Sequence, residues 1–192
     1  RVPRDRSGAV ILTVPTTVTV GVDFADLPSA ISWAKGVLLT APLTIQVPDN
    51  PAPLSGSLQL SDFASPHFIT IQVFKSLVDS GLNSGCCQGN SANPQSCVLS
   101  STALITGQNG LLQFGPRGSN GITVQGFTLR QTDTTYTGYG VAVSDSSVSL
   151  VNMALGCCFS TAIFGDHKAS ISVNTFSAAS VAYGVGIKGH SA

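Results

Sequence analysis

An internal repeat in the second half of the chain limits its possible folds more than any other feature. Residues 122–129 read ITVQGFTL, residues 148–155 read VSLVNMAL and residues 171–178 read ISVNTFSA, so successive copies start 26 and 23 residues apart. Each copy opens apolar–polar–apolar, passes a small or polar bend, and reaches Phe, Met or Phe again. Alternation with a period of two marks a strand with one buried face. A strand-like unit of this size cannot bury its apolar face alone, but stacking copies on one another buries it. A shorter apolar run precedes each copy, at 111–114, 141–143 and 162–164, and 185–187 begins a fourth. The phase predicts parallel ladders, with Ile122, Val148 and Ile171 in one internal column and Phe127, Met153 and Phe176 in another. A jelly roll or sandwich would also give regularly spaced strands, but not matched copies in constant phase. The predicted fold class is all-β, a right-handed parallel β-helix wound from one chain.

The first half leads into this solenoid. Residues 1–22 read as an N-terminal entry or linker segment, whose β-branched runs at 9–14 and 17–20, separated by Pro15, suit strands that pack on a neighbour or on the start of the domain. The spacing predicts one α-helix over 26–35. Asp26 serves as N-cap, Pro28 falls in the first turn, and Leu27, Ala30, Ile31 and Ala34 form an apolar stripe. Lys35 suits the C-terminal end of the dipole and Gly36 the stop. Period-two runs follow at 43–47, 58–60 and 69–73. Residues 77–102 are polar, Gly-rich and aperiodic, and read as a loop insertion. Residues 23–192 are therefore expected to form one β-helix domain, with an open C-terminal end where 185–187 begins an unfinished coil. Exposed edges and apolar cross-section there predict more chain beyond Ala192 or a capping partner, in a homotrimer.

Composition narrows the function classes. The chain is 43% hydrophobic, enough for a sizeable core, but only 9% charged, and it contains no Glu. An ordinary soluble domain is roughly 25% charged. Net charge is zero, and no basic cluster exists beyond Arg1, Arg4 and Arg6, which argues against nucleic-acid binding. No apolar run approaches the ~20 residues of a membrane span. The chain begins with Arg and shows no signal peptide, so a preceding segment is expected to hold any targeting information. A Ser-, Thr-, Asn- and Gly-rich surface of low charge is common among extracellular and virion β-proteins.

Residues 24–31 (FADLPSAI) and 43–49 (LTIQVPD), followed by 69–73 (ITIQV) and the repeats up to Ile187, carry a resemblance. They resemble the pectin-lyase-like right-handed parallel β-helix superfamily, especially its phage tail-fibre and tailspike members. The likeness covers most of the chain after residue 22. It implies that the helix caps the first coil. It also implies a structural virion component involved in host attachment and assembly with other virion proteins. A polysaccharide depolymerase or lyase acting on host surface glycans is the enzymatic alternative. A non-viral secreted β-helix that binds glycans or adheres is a third. The expected location is the phage tail, or the extracellular space or cell surface.

Few residues suggest chemistry. Asp145 and Lys168 each lie three residues before their repeat strand, so they are expected to be neighbours on adjacent coils. Arg117 and Asp166 each lie five residues before theirs, and His167 adjoins them. A groove with Asp145, Asp166, His167 and Lys168 would offer the acids and bases that a lyase or hydrolase needs. The same residues also suit a turn bearing surface charges of little energetic weight. Tyr136, Tyr139 and Tyr183 lie in turns between coils, where they either stack on sugar rings or pack the turns. The five cysteines are an odd number. Cys86 or Cys87 is placed to pair with Cys97, and Cys157 or Cys158 to point inward. His67, His167 and His190 are too scattered for a metal site. No cofactor motif is present.

Overall fold

A computed structural model describes residues 10–48, 54–65, 67–73, 98–101, 110–115, 117, 120–131, 137–156, 159–179 and 183–188. The chain runs through β1 (Val10–Leu12), β2 (Thr16–Thr19), helix α1 (Leu27–Lys35), β3 (Val37–Leu39), β4 (Leu43–Val47), β5 (Leu54–Ser55), β6 (Leu58–Leu60), β7 (Ile69–Val73) and β8 (Val98–Ser101). It continues through β9 (Gly110–Phe114), β10 (Ile122–Gln125), β11 (Thr128–Gln131), β12 (Tyr139–Ser144), β13 (Ser147–Gly156), β14 (Thr161–Asp166), β15 (Ser170–Ala179) and β16 (Tyr183–Lys188). Every strand pairing among the described residues is parallel. The short strands stack in the order β6-β9-β12-β14-β16. The repeat strands stack as β2-β4-β7-β10-β13, with β11, β8 and β5 continuing from the second half of β13, and β15 on its far edge. This is a parallel β-helix, the predicted fold class.

The repeat phase is also the structural register. Ile122 pairs with Val148, Val148 with Ile171 and Met153 with Phe176, while Thr128 opposite Ala154 sets Phe127 level with Met153. Ile122, Phe127, Val148 and Met153 are buried. Ile171 and Phe176 are half-buried, because no described strand covers the outer edge of β15. β13 and β15 each serve two faces by turning through a left-handed residue, Asn152 (φ 49°) and Thr175 (φ 55°), level with Gly126 (φ 81°).

Helix α1 lies in the chain between β2 and β3. The Asp26 carboxylate accepts a 2.7 Å hydrogen bond from the Ser29 backbone N–H, and Gly36 N–H donates to the Trp33 carbonyl. Leu27, Ala30, Ile31 and Ala34 are all buried in the core cluster. Among the described residues no helix is long and apolar enough to cross a membrane.

Two segments outside the expected regular coils contribute strands. Residues 10–20 belong to the solenoid, because β1 pairs with β3 and β2 with β4 across the intervening helix. The expected insertion at 77–102 contains a strand, β8, held between β5 and β11. Its sequence, VLSS, is too short to show alternation, and the neighbouring rungs supply its conformation. Residues 77–97 and 102 lie outside the described residues.

Candidate functional site

The sequence candidates converge on the corner that follows each short strand. Leu60 and Val143 both pair with Phe114, and Val143 pairs with Gly165. Continuing this register by two residues sets Asp62, Asp145 and His167 in one column. All three have left-handed backbones, with φ of 61°, 46° and 47°. That conformation costs an L-residue roughly 1–2 kcal/mol, and Asp, Asn and His are enriched there. The corner therefore accounts for the residue types at 145 and 167 without invoking chemistry.

The expected match of Asp145 with Lys168 holds only when the residues are counted back from the repeat strands. Ser144 pairs with Asp166, and Ser147 pairs with Ser170. The corner after β14 thus holds one residue more than the corner after β12. Counted forward from the short strands, the counterpart of Asp145 is His167; only counted back from β13 and β15 is it Lys168. Asp145 and Lys168 are both exposed.

Asp166 and His167 do come together. Asp166 ends β14 with its side chain only 5% exposed, and its Oδ1 accepts a 2.8 Å hydrogen bond from the His167 backbone N–H. Its Oδ2 lies 3.3 Å from His167 Nδ1, and the imidazole is half exposed. A carboxylate so placed orients the ring. Arg117 is exposed, and its carbonyl accepts a hydrogen bond from Asp62 N–H on the preceding coil.

Of the tyrosines, Tyr139 is half-buried at the start of β12, and its ring stacks on Phe164 with centroids 4.2 Å apart and planes 6° from parallel. The sequence pattern gave Phe164 only as part of an apolar run. Tyr183 opens β16, in register with Thr161, which itself pairs with Tyr139, so it lies two coils from Tyr139. Tyr136 lies outside the described residues, as do Cys86, Cys87, Cys97, Cys157 and Cys158 and the disulfide expected of Cys86 or Cys87 with Cys97.

Comparison with known proteins adds no relative: no family model, curated protein or solved structure matches the chain.

Proposed function

We propose that this chain is a structural β-helix of the phage tail-fibre or tailspike type, a rigid rung stack for host attachment and virion assembly. One observation carries this reading. Ile171, Val173 and Phe176 on β15 are in register with the buried Val148, Leu150 and Met153, yet Val173 is 45% exposed. This apolar cross-section bounded by a strand edge is a template for association, and soluble monomers cover or blunt such edges. A second copy of the chain, in a homotrimer, is the proposed cover. The corner geometry supports the same reading, because it explains Asp145 and His167 as turn residues.

Light scattering on the purified chain tests the proposal. Association beyond the 19.6 kDa monomer is expected. Val173→Asp should return the chain to monomer with its β-sheet circular dichroism intact. A monodisperse monomer of the wild type would overturn the reading.

Cleavage of surface glycans is the second reading, favoured by the buried Asp166 carboxylate against His167. It requires sugar release from host capsule or lipopolysaccharide that Asp166→Asn abolishes.

A further inference from the structure

The short-strand sheet ends on β6, which among the described strands pairs with β9 alone. Its outer edge therefore presents backbone N–H and C=O groups that no described strand meets. Beside that edge lies a groove of about 190 Å³. Pro28, Ile31, Ser32 and Lys35 form one wall, and their spacing makes them a single stripe of α1. Ser57, Leu58 and Gln59 form the other. Side chains of consecutive extended residues point to opposite faces of a sheet. A groove touched by all three thus runs along the strand's edge and not across one face.

Size and charge narrow what such a groove accepts. Ile31 and Leu58 are buried and supply an apolar floor, while Pro28, Ser32, Ser57 and Gln59 are exposed. Both walls run about 10 Å, at ~1.5 Å per helical residue and ~3.3 Å per strand residue. That length matches about three residues of extended chain, and the volume falls below the ~300 Å³ at which small-molecule pockets begin. Lys35 is the one charged residue of the lining, and among the described residues no carboxylate pairs with it. Its ammonium lies 5.9 Å from the Phe63 ring centre, at the outer limit of a cation–π contact. Its carbonyl accepts a 3.0 Å hydrogen bond from Ala64 N–H. Residues 63 and 64 follow β6, so Lys35 marks the end of the groove at which β6 finishes.

We propose that this groove takes an extended peptide segment of about three residues, added in parallel along the free edge of β6, with an acidic residue at Lys35. Main-chain hydrogen bonds to the edge hold the segment, and the α1 stripe covers its other side. Parallel addition keeps the direction of the pairing that β6 already makes with β9. It brings the C-terminal end of the segment to the side where β6 finishes, and hence to Lys35. The partner is therefore a chain with an exposed β-forming stretch that ends on an acid. This inference stands apart from the attachment reading, because β6 and β15 belong to different sheets.

The test is a fluorescence-anisotropy titration of the whole chain against short peptides at constant ionic strength. The probe is Val-Thr-Val-Asp with a neutral dye at its N-terminus and an amide at its C-terminus, so its one charge is the Asp side chain. Strand addition takes its affinity from the main chain, so a generic β-forming sequence serves. Saturable binding is expected. Asn in place of the Asp, or the Asp moved to the first position, should weaken it roughly fivefold, the loss of a half-exposed ion pair. Lys35→Met should bind the Asp and Asn peptides alike. N-methylation of the central amides should abolish binding, as should Ser32→Phe, which fills the groove from an exposed helix position. Circular dichroism checks that both variants fold, and the peptide comparisons decide if either does not. No saturable binding by the wild type, or tighter binding of the peptide that carries Asp first, overturns the proposal. Binding undiminished in Lys35→Met and Ser32→Phe places the peptide on another edge and overturns it equally.

Discussion

Residue by residue, left-handed positions account for much that looked like chemistry. Asp62, Asp145 and His167 share one corner column, and Gly126, Asn152 and Thr175 share another. If Asp145 is there for its backbone, Gly should replace it without loss. Asp145→Gly is expected to stay within about 1 kcal/mol of the wild type, on the stabilising side, while Asp145→Val should cost about 1–2 kcal/mol. Urea denaturation measures both, and a marked destabilisation by Gly would point instead to a role for the carboxylate. Gly115 makes the complementary case. Its φ is +105°, and a Cβ there would overlap the Ser144 carbonyl of the next coil. Gly115→Ala is expected to cost roughly 3 kcal/mol, combining backbone strain with overpacking. The second column was half visible in the sequence, as the bend inside each repeat copy. The first was not, because Asp, Asp and His announce charge before they announce conformation.

The elements differ in how plainly the chain writes them. Strands β4 and β7 repeat the same alternation, LTIQV and ITIQV, and pair along their full length. Helix α1 shows its cap, stripe and stop. β3 was hidden because VLL directly follows the helix without alternating, and β8 because VLSS is set by its neighbours in space. The helix cap also makes a pH prediction. Hydrogen bonds from Ser29, from its hydroxyl first and then its backbone N–H, hold the Asp26 carboxyl below its ordinary value of 3.8. A carboxyl with a depressed folded pKa contributes stability that is fully present above the unfolded value and lost as pH falls through the folded one. Asp26→Ala should therefore melt below the wild type at neutral pH, by an amount that shrinks once the pH drops below 3.8. Melting curves across that window check it, and a pH-independent difference would contradict the cap's electrostatic part.

For the whole molecule, the consequence is asymmetry. In a stacked solenoid each coil is stabilised by the two it touches, so stability is distributed along the axis rather than around one centre. Near the N-terminal end, α1 buries its apolar stripe in the core cluster. The other end presents β15, with Ile171, Val173 and Phe176 at its surface. Leu150 and Val173 are register partners on successive rungs, one fully buried and one 45% exposed. The same truncation should therefore have very different effects. Leu150→Ala removes a packed side chain between two rungs and should cost about 2–5 kcal/mol. Val173→Ala should cost less than about 1 kcal/mol in dilute chain, because much of that side chain is already in water. If a second copy covers the end, the gap must narrow with concentration, since association buries Val173 and adds its apolar area to the folded state's stability. Unfolding free energies of both variants at low and high protein concentration make the comparison. A Val173→Ala cost that grows with concentration marks the β15 face as the assembly surface. A cost that stays flat removes the observation on which the attachment reading rests.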